Sequence, residues 1–441
     1  MDSISPIGTI SPKRRPSLHS ALKNLPTAHC QLPTLFLHSA LSTQHFLSTQ
    51  HFLSTQHLKI CQLPTAHCQL SCFHSALRTQ HFLSALIPFK MALLKYTGVG
   101  IRGLAAAVPR NVIKNYEYTT YFPAEEVKLV VDKIGIVERR FADPHICSSD
   151  LCFAAAEKLL TDLSVPRDEI DLLVFVSQTP DFRMPATSIL LQHRLGFSEN
   201  TIAFDLNLGC SGFIYGMSVI YAMMERSGLR RALLLDGETR SRIYSPKDRK
   251  TAFIFGDAGA AALIERDDSF GESFFSLNSD GSKEDLIKMN AGGYRNPTTE
   301  ETLKERVVDE FGNIRSEEHG YMNGSDVFNF VISRIPADIK RVMGYSGTDI
   351  TSLDYFLFHQ ANDFINSYLA RKLKLDPEKV PATIAKFGNT SSVSIPLTMV
   401  SELQGKLSDK KILLSGFGVG MTWATSVIQL GDCFVSDLVE I

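Results

Sequence analysis

Tryptophan is almost missing from this chain: Trp423 is the only one in 441 residues. Net charge is nearly missing too, at −2, so the overall balance gives no pull toward nucleic acid or an anionic membrane. No run of about 18 consecutive apolar residues occurs, so no membrane-spanning helix is expected. The N-terminus lacks an apolar core followed by a small-residue cleavage site, so no secretory signal is expected either. The eight cysteines never fall at metal-ligand spacing outside the first 90 residues. Beyond them Cys147, Cys152, Cys210 and Cys433 are scattered, which reads as free thiols in a reducing compartment, the cytoplasm. Hydrophobic residues, by contrast, are plentiful at 44%, enough for a sizeable core.

Residues 1–90 differ from the rest. STQHFL fills Ser42–Leu47 and again Ser48–Leu53, a third copy starts at Ser54, and LPTAHCQL occurs at Leu25–Leu32 and Leu63–Leu70. Nine of the thirteen histidines lie here. A Cys/His metal tract over Cys61, His67, Cys68, Cys72 and His74 is one reading. The other, preferred here, is that these residues recur because the repeat unit contains them, in a low-complexity leader before a globular pattern that opens at Met91.

From Met91 onward apolar β-rich runs alternate with helical patterns, which argues for α/β layering. Asp171–Val176 (DLLVFV) has a parallel in Asp354–His359 (DYFLFH), and Arg230–Leu235 (RRALLL) in Lys410–Leu414 (KKILL). The nearly constant offset suggests two copies of one α/β unit, 91–265 and 266–441. Each second run leads to a glycine-bearing turn, Gly256–Gly259 or Gly416–Gly420, and another strand. Pro297–Arg315 is polar and weakly periodic, an insertion or surface excursion.

Three side chains invite chemistry. Cys210 follows a strand-like run and Asn207-Leu208-Gly209, just before the helical pattern Ser211–Arg226. Free N–H groups at a helix start stabilise negative charge and raise the thiolate fraction. A buried structural cysteine fits the position equally well. His359 ends an apolar strand, pointing into a cleft or hydrogen-bonded in the core. Asn389, in FGNTSS, is a ligand-facing amide or a helix N-cap. Together they form a coherent set: a thiolate that accepts an acyl group, and two donors for a thioester oxygen gaining enolate charge. That chemistry requires no metal or cofactor.

These motifs resemble a known family. Asp205–Tyr215 (DLNLGCSGFIY), Phe358–Asn362 (FHQAN), Gly388–Pro396 (GNTSSVSIP) and Gly416–Trp423 (GFGVGMTW) look like the signature regions of β-ketoacyl-ACP synthase III, in the thiolase superfamily. Gly135–Phe141 (GIVERRF) and Phe255–Ala261 (FGDAGAA) fit as well. The resemblance implies a thiolase-like five-layered αβαβα fold from two duplicated halves, and a homodimer. It implies Cys210, His359 and Asn389 as catalytic residues, with oxyanion N–H groups from Cys210 and Val419. It implies acyl transfer to cysteine from an acyl-CoA or acyl-ACP primer, then decarboxylation of malonyl-ACP and carbon–carbon bond formation.

Substrate contacts are expected from Arg249, Met184, Phe364, Gly418 and Gly420. Two positions depart from the family, and a third marks the acyl pocket. The tryptophan that would stack on the adenine of coenzyme A is Leu129, an arginine facing the carrier protein is Phe364, and Met184 lies in the stretch lining the acyl pocket across the dimer interface. Arg371 and Lys372 remain as candidates for an acidic carrier. Competing readings are an acyltransferase on the same fold that passes the acyl group to an alcohol or amine, a plant-type polyketide synthase, and a non-catalytic partner subunit.

Overall fold

The computed structural model describes residues 92–441, and the repeats of the proposed leader lie outside them. Side chains alternate across a strand, so a strand buried on both faces is apolar throughout. Twelve strands form two such sheets. They are β1 (Leu93–Thr97), β2 (Val99–Val108), β3 (Leu172–Val176), β4 (Ile202–Leu206), β5 (Arg231–Thr239), β6 (Asp257–Arg266), β7 (Glu272–Ser279), β8 (Tyr355–Phe358), β9 (Lys411–Gly418), β10 (Thr422–Gln429), β11 (Phe434–Val435) and β12 (Val439–Glu440). The first sheet runs β11-β2-β6-β5-β3-β4, with β12 also on β2; the second runs β1-β7-β10-β9-β8.

Among the helices that cover them are α1 (Ser148–Asp162), α2 (Gly212–Met224), α3 (Gly324–Ser346), α4 (Asp363–Leu373) and α5 (Ser394–Glu402). Alternation along β3 shows how the layers separate. Leu173 and Phe175 join Ala155, Ala156 and Leu159 of α1 in one core. Val174 and Val176 face the other way, onto Phe213 and Met217 of α2 and Ile395 and Met399 of α5. That central layer also receives Ile412 and Leu414 of β9, whereas Leu413 packs outward on Val331 and Ile335 of α3 and Leu369 of α4. The result is the five-layered αβαβα fold.

The duplication inferred from Asp171–Val176 and Asp354–His359 corresponds to β3 and β8, and the second pair of runs to β5 and β9. In each sheet the two are parallel neighbours followed by an antiparallel strand, β6 or β10. The chain also crosses between sheets: β1 pairs with β7 in the second, while β11 and β12 pair with β2 in the first. Gly256–Gly259 is not a turn as expected. Strand β6 begins at Asp257, and Gly259 sits inside it because a Cβ there would come within 2.6 Å of the Cys152 amide nitrogen in α1. The excursion after Pro297 holds a short helix, Glu300–Leu303, and a two-residue strand pair, Arg306–Val307 with Ile314–Arg315.

Candidate active site

Both central helices begin at the same end of the molecule, and the candidate residues gather there. Strand β4 ends at Leu206, and Gly212 N–H donates to the Gly209 carbonyl at 2.6 Å, a tight turn that sets Cys210 just ahead of α2. The thiol is buried and lines a narrow cavity of about 60 Å³, together with Arg240, His359, Asn389, Gly418 and Val419. Gly418 is required there: a Cβ would lie 2.6 Å from Cys210 Sγ.

His359 follows the last residue of β8 and is held by Ser394 at the start of α5. Ser394 Oγ donates to the Ser391 carbonyl at 2.7 Å, so its lone pairs accept from the Gln360 amide at 3.2 Å and from His359 Nδ1–H at 2.8 Å. That assignment leaves Nε2 for the cavity. Asn389 is not the N-cap of α5, which is Val393. Its Oδ1 accepts from the Ser391 amide at 2.9 Å, so the NH2 end is the one left to donate, with a long 3.5 Å contact to the Ala361 carbonyl.

Burial by itself would push the Cys210 thiol up. The charge of His359 and its hydrogen bond, then Arg240 and the Ser391 hydroxyl, more than offset this and bring it down to about 7. The other described thiols go the opposite way. Burial raises Cys147, drives Cys152 well above its ordinary value and pushes Cys433 up to about 12. Among described residues Cys210 is thus the one thiol poised to ionise near neutrality.

Sequence reasoning missed several neighbours of this thiol. Arg240 follows the apolar strand β5, is buried, and donates from Nη2 to Gln178 Oε1 at 2.9 Å and Ser391 Oγ at 3.1 Å. Ser391 adopts φ 56°, which costs about 1–3 kcal/mol outside glycine. Its backbone and side-chain hydrogen bonds hold it there, with Oγ 3.9 Å from Cys210 Sγ. The signal was present in Asp236-Gly237-Glu238-Thr239-Arg240, three charges at the end of an otherwise apolar buried strand.

The remaining expected contacts lie elsewhere. Gly420 sits in the turn between β9 and β10 with φ 134° and does not line the cavity. Arg249 pairs with Glu126 at 2.7 Å and lies over Phe122. Leu129, on the same helix as Glu126 (Ala124–Ile134), is 71% exposed. Met184 is 76% exposed, and Phe364 is 53% exposed against Phe328. Arg371 and Lys372 lie in the last turn of α4, both exposed.

A thiolate ahead of a buried central helix, with an imidazole and an amide on the same cavity wall of a duplicated five-layered fold, defines the thiolase-like acyltransferases. Two family models match the chain, both described as 3-oxoacyl-[acyl-carrier-protein] synthase III: one over residues 204–281, the other, its C-terminal part, over 344–430. The chain is 32% identical over 333 residues to the beta-ketoacyl-[acyl-carrier-protein] synthase III of Caldanaerobacter subterraneus, covering 75% of this chain and 97% of that one. It is 31% identical over 334 residues to that of Fusobacterium nucleatum, covering 75% and 98%. The crystal structure of a 3-oxoacyl-(acyl-carrier protein) synthase from Burkholderia xenovorans superposes with a TM-score of 0.75 at 36% identity, covering 80% of this chain and 99% of that one. The chain belongs to the 3-oxoacyl-ACP synthase III family and is a condensing acyltransferase. Among described residues no helix is long and apolar enough to cross a membrane.

Proposed function

We propose that Cys210, His359 and Asn389 carry out the condensation as a thiolate, a cation and an amide donor. The Cys210 proton passes to His359 Nε2. The thiolate attacks the carbonyl of the primer thioester, the tetrahedral oxyanion is held by the Cys210 and Val419 N–H groups, and the departing thiolate takes a proton from solvent. His359 keeps its proton, so Nε2–H and Asn389 Nδ2–H both donate to the oxygen of the malonyl thioester. Loss of carbon dioxide leaves its electron pair in an enolate at that oxygen. The enolate carbon attacks the acyl-cysteine, expels the Cys210 thiolate and leaves a 3-oxoacyl thioester.

The observation that carries this reading is that Cys210, His359 and Asn389 line one cavity, where His359 and Arg240 draw the Cys210 thiol down while burial pushes the other described thiols up. The malonyl unit is taken to arrive on an acyl carrier protein or as its CoA ester, and the primer as acyl-CoA or acyl-ACP. Arg249 is proposed on the nucleotide side, while Arg371 and Lys372 face the acidic carrier. The exposure of Met184 supports a homodimer in which this side chain is covered by a second copy. The same reading makes the enzyme cytoplasmic, keeps 91–265 and 266–441 as its halves, and treats 1–90 as a leader. The test is intact-mass analysis after incubation with a panel of acyl-CoA and acyl-ACP donors, followed by malonyl-ACP. A donor-dependent adduct that disappears on malonyl-ACP addition, with release of a 3-oxoacyl thioester, is expected. Absence of an adduct with every donor overturns the reading.

A further inference from the structure

A second cavity, of about 190 Å³, lies behind the wall of the first. Arg240, Tyr244 and Phe255 line both, and the far side is formed by Arg139, Tyr118 and Thr251. Two buried guanidinium groups therefore face one space, each with a donor that no acceptor among the described residues uses. Arg139 donates from Nε to Asn115 Oδ1 at 2.7 Å and from Nη1 to the Phe255 carbonyl at 3.2 Å, while Nη2 is buried without a hydrogen-bond partner. Arg240 uses Nη2 for Gln178 and Ser391, while Nε is buried with no hydrogen bond.

The nearby carboxylates do not take these donors. Glu238 lies 3.8 Å from Arg240 Nε, but its oxygens accept from the Gln178 amide at 3.1 Å and Thr179 Oγ1 at 2.9 Å. Asp257, beside Arg139, accepts from the Ser241 amide and hydroxyl and the Ala142 amide. Each carboxylate offsets a charge without filling the guanidinium's hydrogen-bonding capacity, and an unfilled buried donor is costly. Arginine presents a fixed fork that a ligand carboxylate matches.

We propose that the primer of this enzyme is an acyl group with a carboxylate at its far end, recognised by Arg240 with Arg139 behind it. The proposal rests on the Cys210 reading above, since it takes the acyl chain to start at that sulfur. The acid meant is the primer's, not the malonyl carboxylate. A carboxylate held by arginine is stabilised in its ground state, which would slow its loss as carbon dioxide.

The test compares succinyl-CoA with butyryl-CoA and with the methyl ester of succinyl-CoA as donors to the full chain, following the Cys210 adduct by intact mass. The wild-type protein should favour succinyl over both neutral donors by about 10- to 100-fold, the range of a charge-assisted hydrogen bond. In Arg240→Gln that ratio should fall toward one. The ratio is the readout because Arg240 also draws the Cys210 thiol down, so the absolute rate drops with every donor. Equal or faster acylation by butyryl or the methyl ester in the wild-type protein overturns the proposal while leaving the Cys210 reading intact. An unchanged preference in Arg240→Gln overturns the assignment to Arg240. No adduct with any donor removes both readings. Because the free acid and its methyl ester differ in charge, the wild-type comparison decides the point even if Arg240→Gln does not fold.

Discussion

The two sheets match strand for strand through β3-β5-β6-β2 and β8-β9-β10-β7, and they differ at the edge beside β3 and β8. The first sheet has an extra strand there, β4, whose end leads into Cys210 and α2. Among described residues the second has none at its corresponding edge. The residues before α5 instead form a single bridge from Asn389 to Phe255 of the first half. Common strands build a shared core, and in the proposed mechanism the parts that differ carry different chemistry: a nucleophile from one half, hydrogen-bond donors from the other. Duplication supplies the scaffold, and divergence at the strand ends places the candidate residues.

The largest expected effect breaks the first half's contribution. Cys210→Ala should abolish the covalent acyl-enzyme, and a donor-dependent mass adduct that persists on this variant would refute the assignment. Breaking the second half's contribution comes next. Asn389→Ala should slow release of carbon dioxide from malonyl-ACP by ~10²–10³, the usual loss for one oxyanion donor. His359→Ala should do the same and also slow acylation, because His359 is the foremost group drawing the Cys210 thiol down. A parent rate of decarboxylation in either variant counts against the role.

The thiol itself gives a finer test of the same division. Alkylation of Cys210 should rise with pH around a midpoint near 7, and His359→Ala should move the midpoint upward. Cys152 and Cys433, held protonated by burial, should stay unmodified in the folded protein. A midpoint near that of an ordinary thiol in the parent enzyme would separate Cys210 from His359. Smaller still is Ser394→Ala, which removes the acceptor for His359 Nδ1. Losing one hydrogen bond of about 0.5–1.5 kcal/mol predicts a decline of roughly 2- to 10-fold in turnover. The smallest effect concerns residues 1–90. A chain beginning at Met91 should turn over like the full one, and an inactive or insoluble product would tie the leader to the fold.

Much of this architecture was legible from periodicity. The runs around Leu172–Val176 and Tyr355–Phe358 are apolar because both sheet faces are covered, and that pattern survives in the sequence as a repeat. Cys210, His359 and Asn389 each stood out at the end of a strand or the start of a helix, where chain direction changes. Arg240 and Ser391 did not. The charges at the end of β5 hinted at Arg240, but its contact with Ser391 joins residues 151 positions apart, and no local pattern records that pairing. The supposed turn at Gly256–Gly259 failed for a related reason: glycine there answers the approach of α1, not a bend in its own chain.

The division of labour between the halves is tested most directly by measuring both half-reactions on two variants, Cys210→Ala and Asn389→Ala. Acyl-enzyme formation is followed by intact mass, and carbon dioxide release from malonyl-ACP by isotope. The account predicts a crossed result: Cys210→Ala forms no acyl-enzyme yet still decarboxylates, while Asn389→Ala is acylated yet scarcely decarboxylates. Equal loss of both reactions in both variants would contradict it.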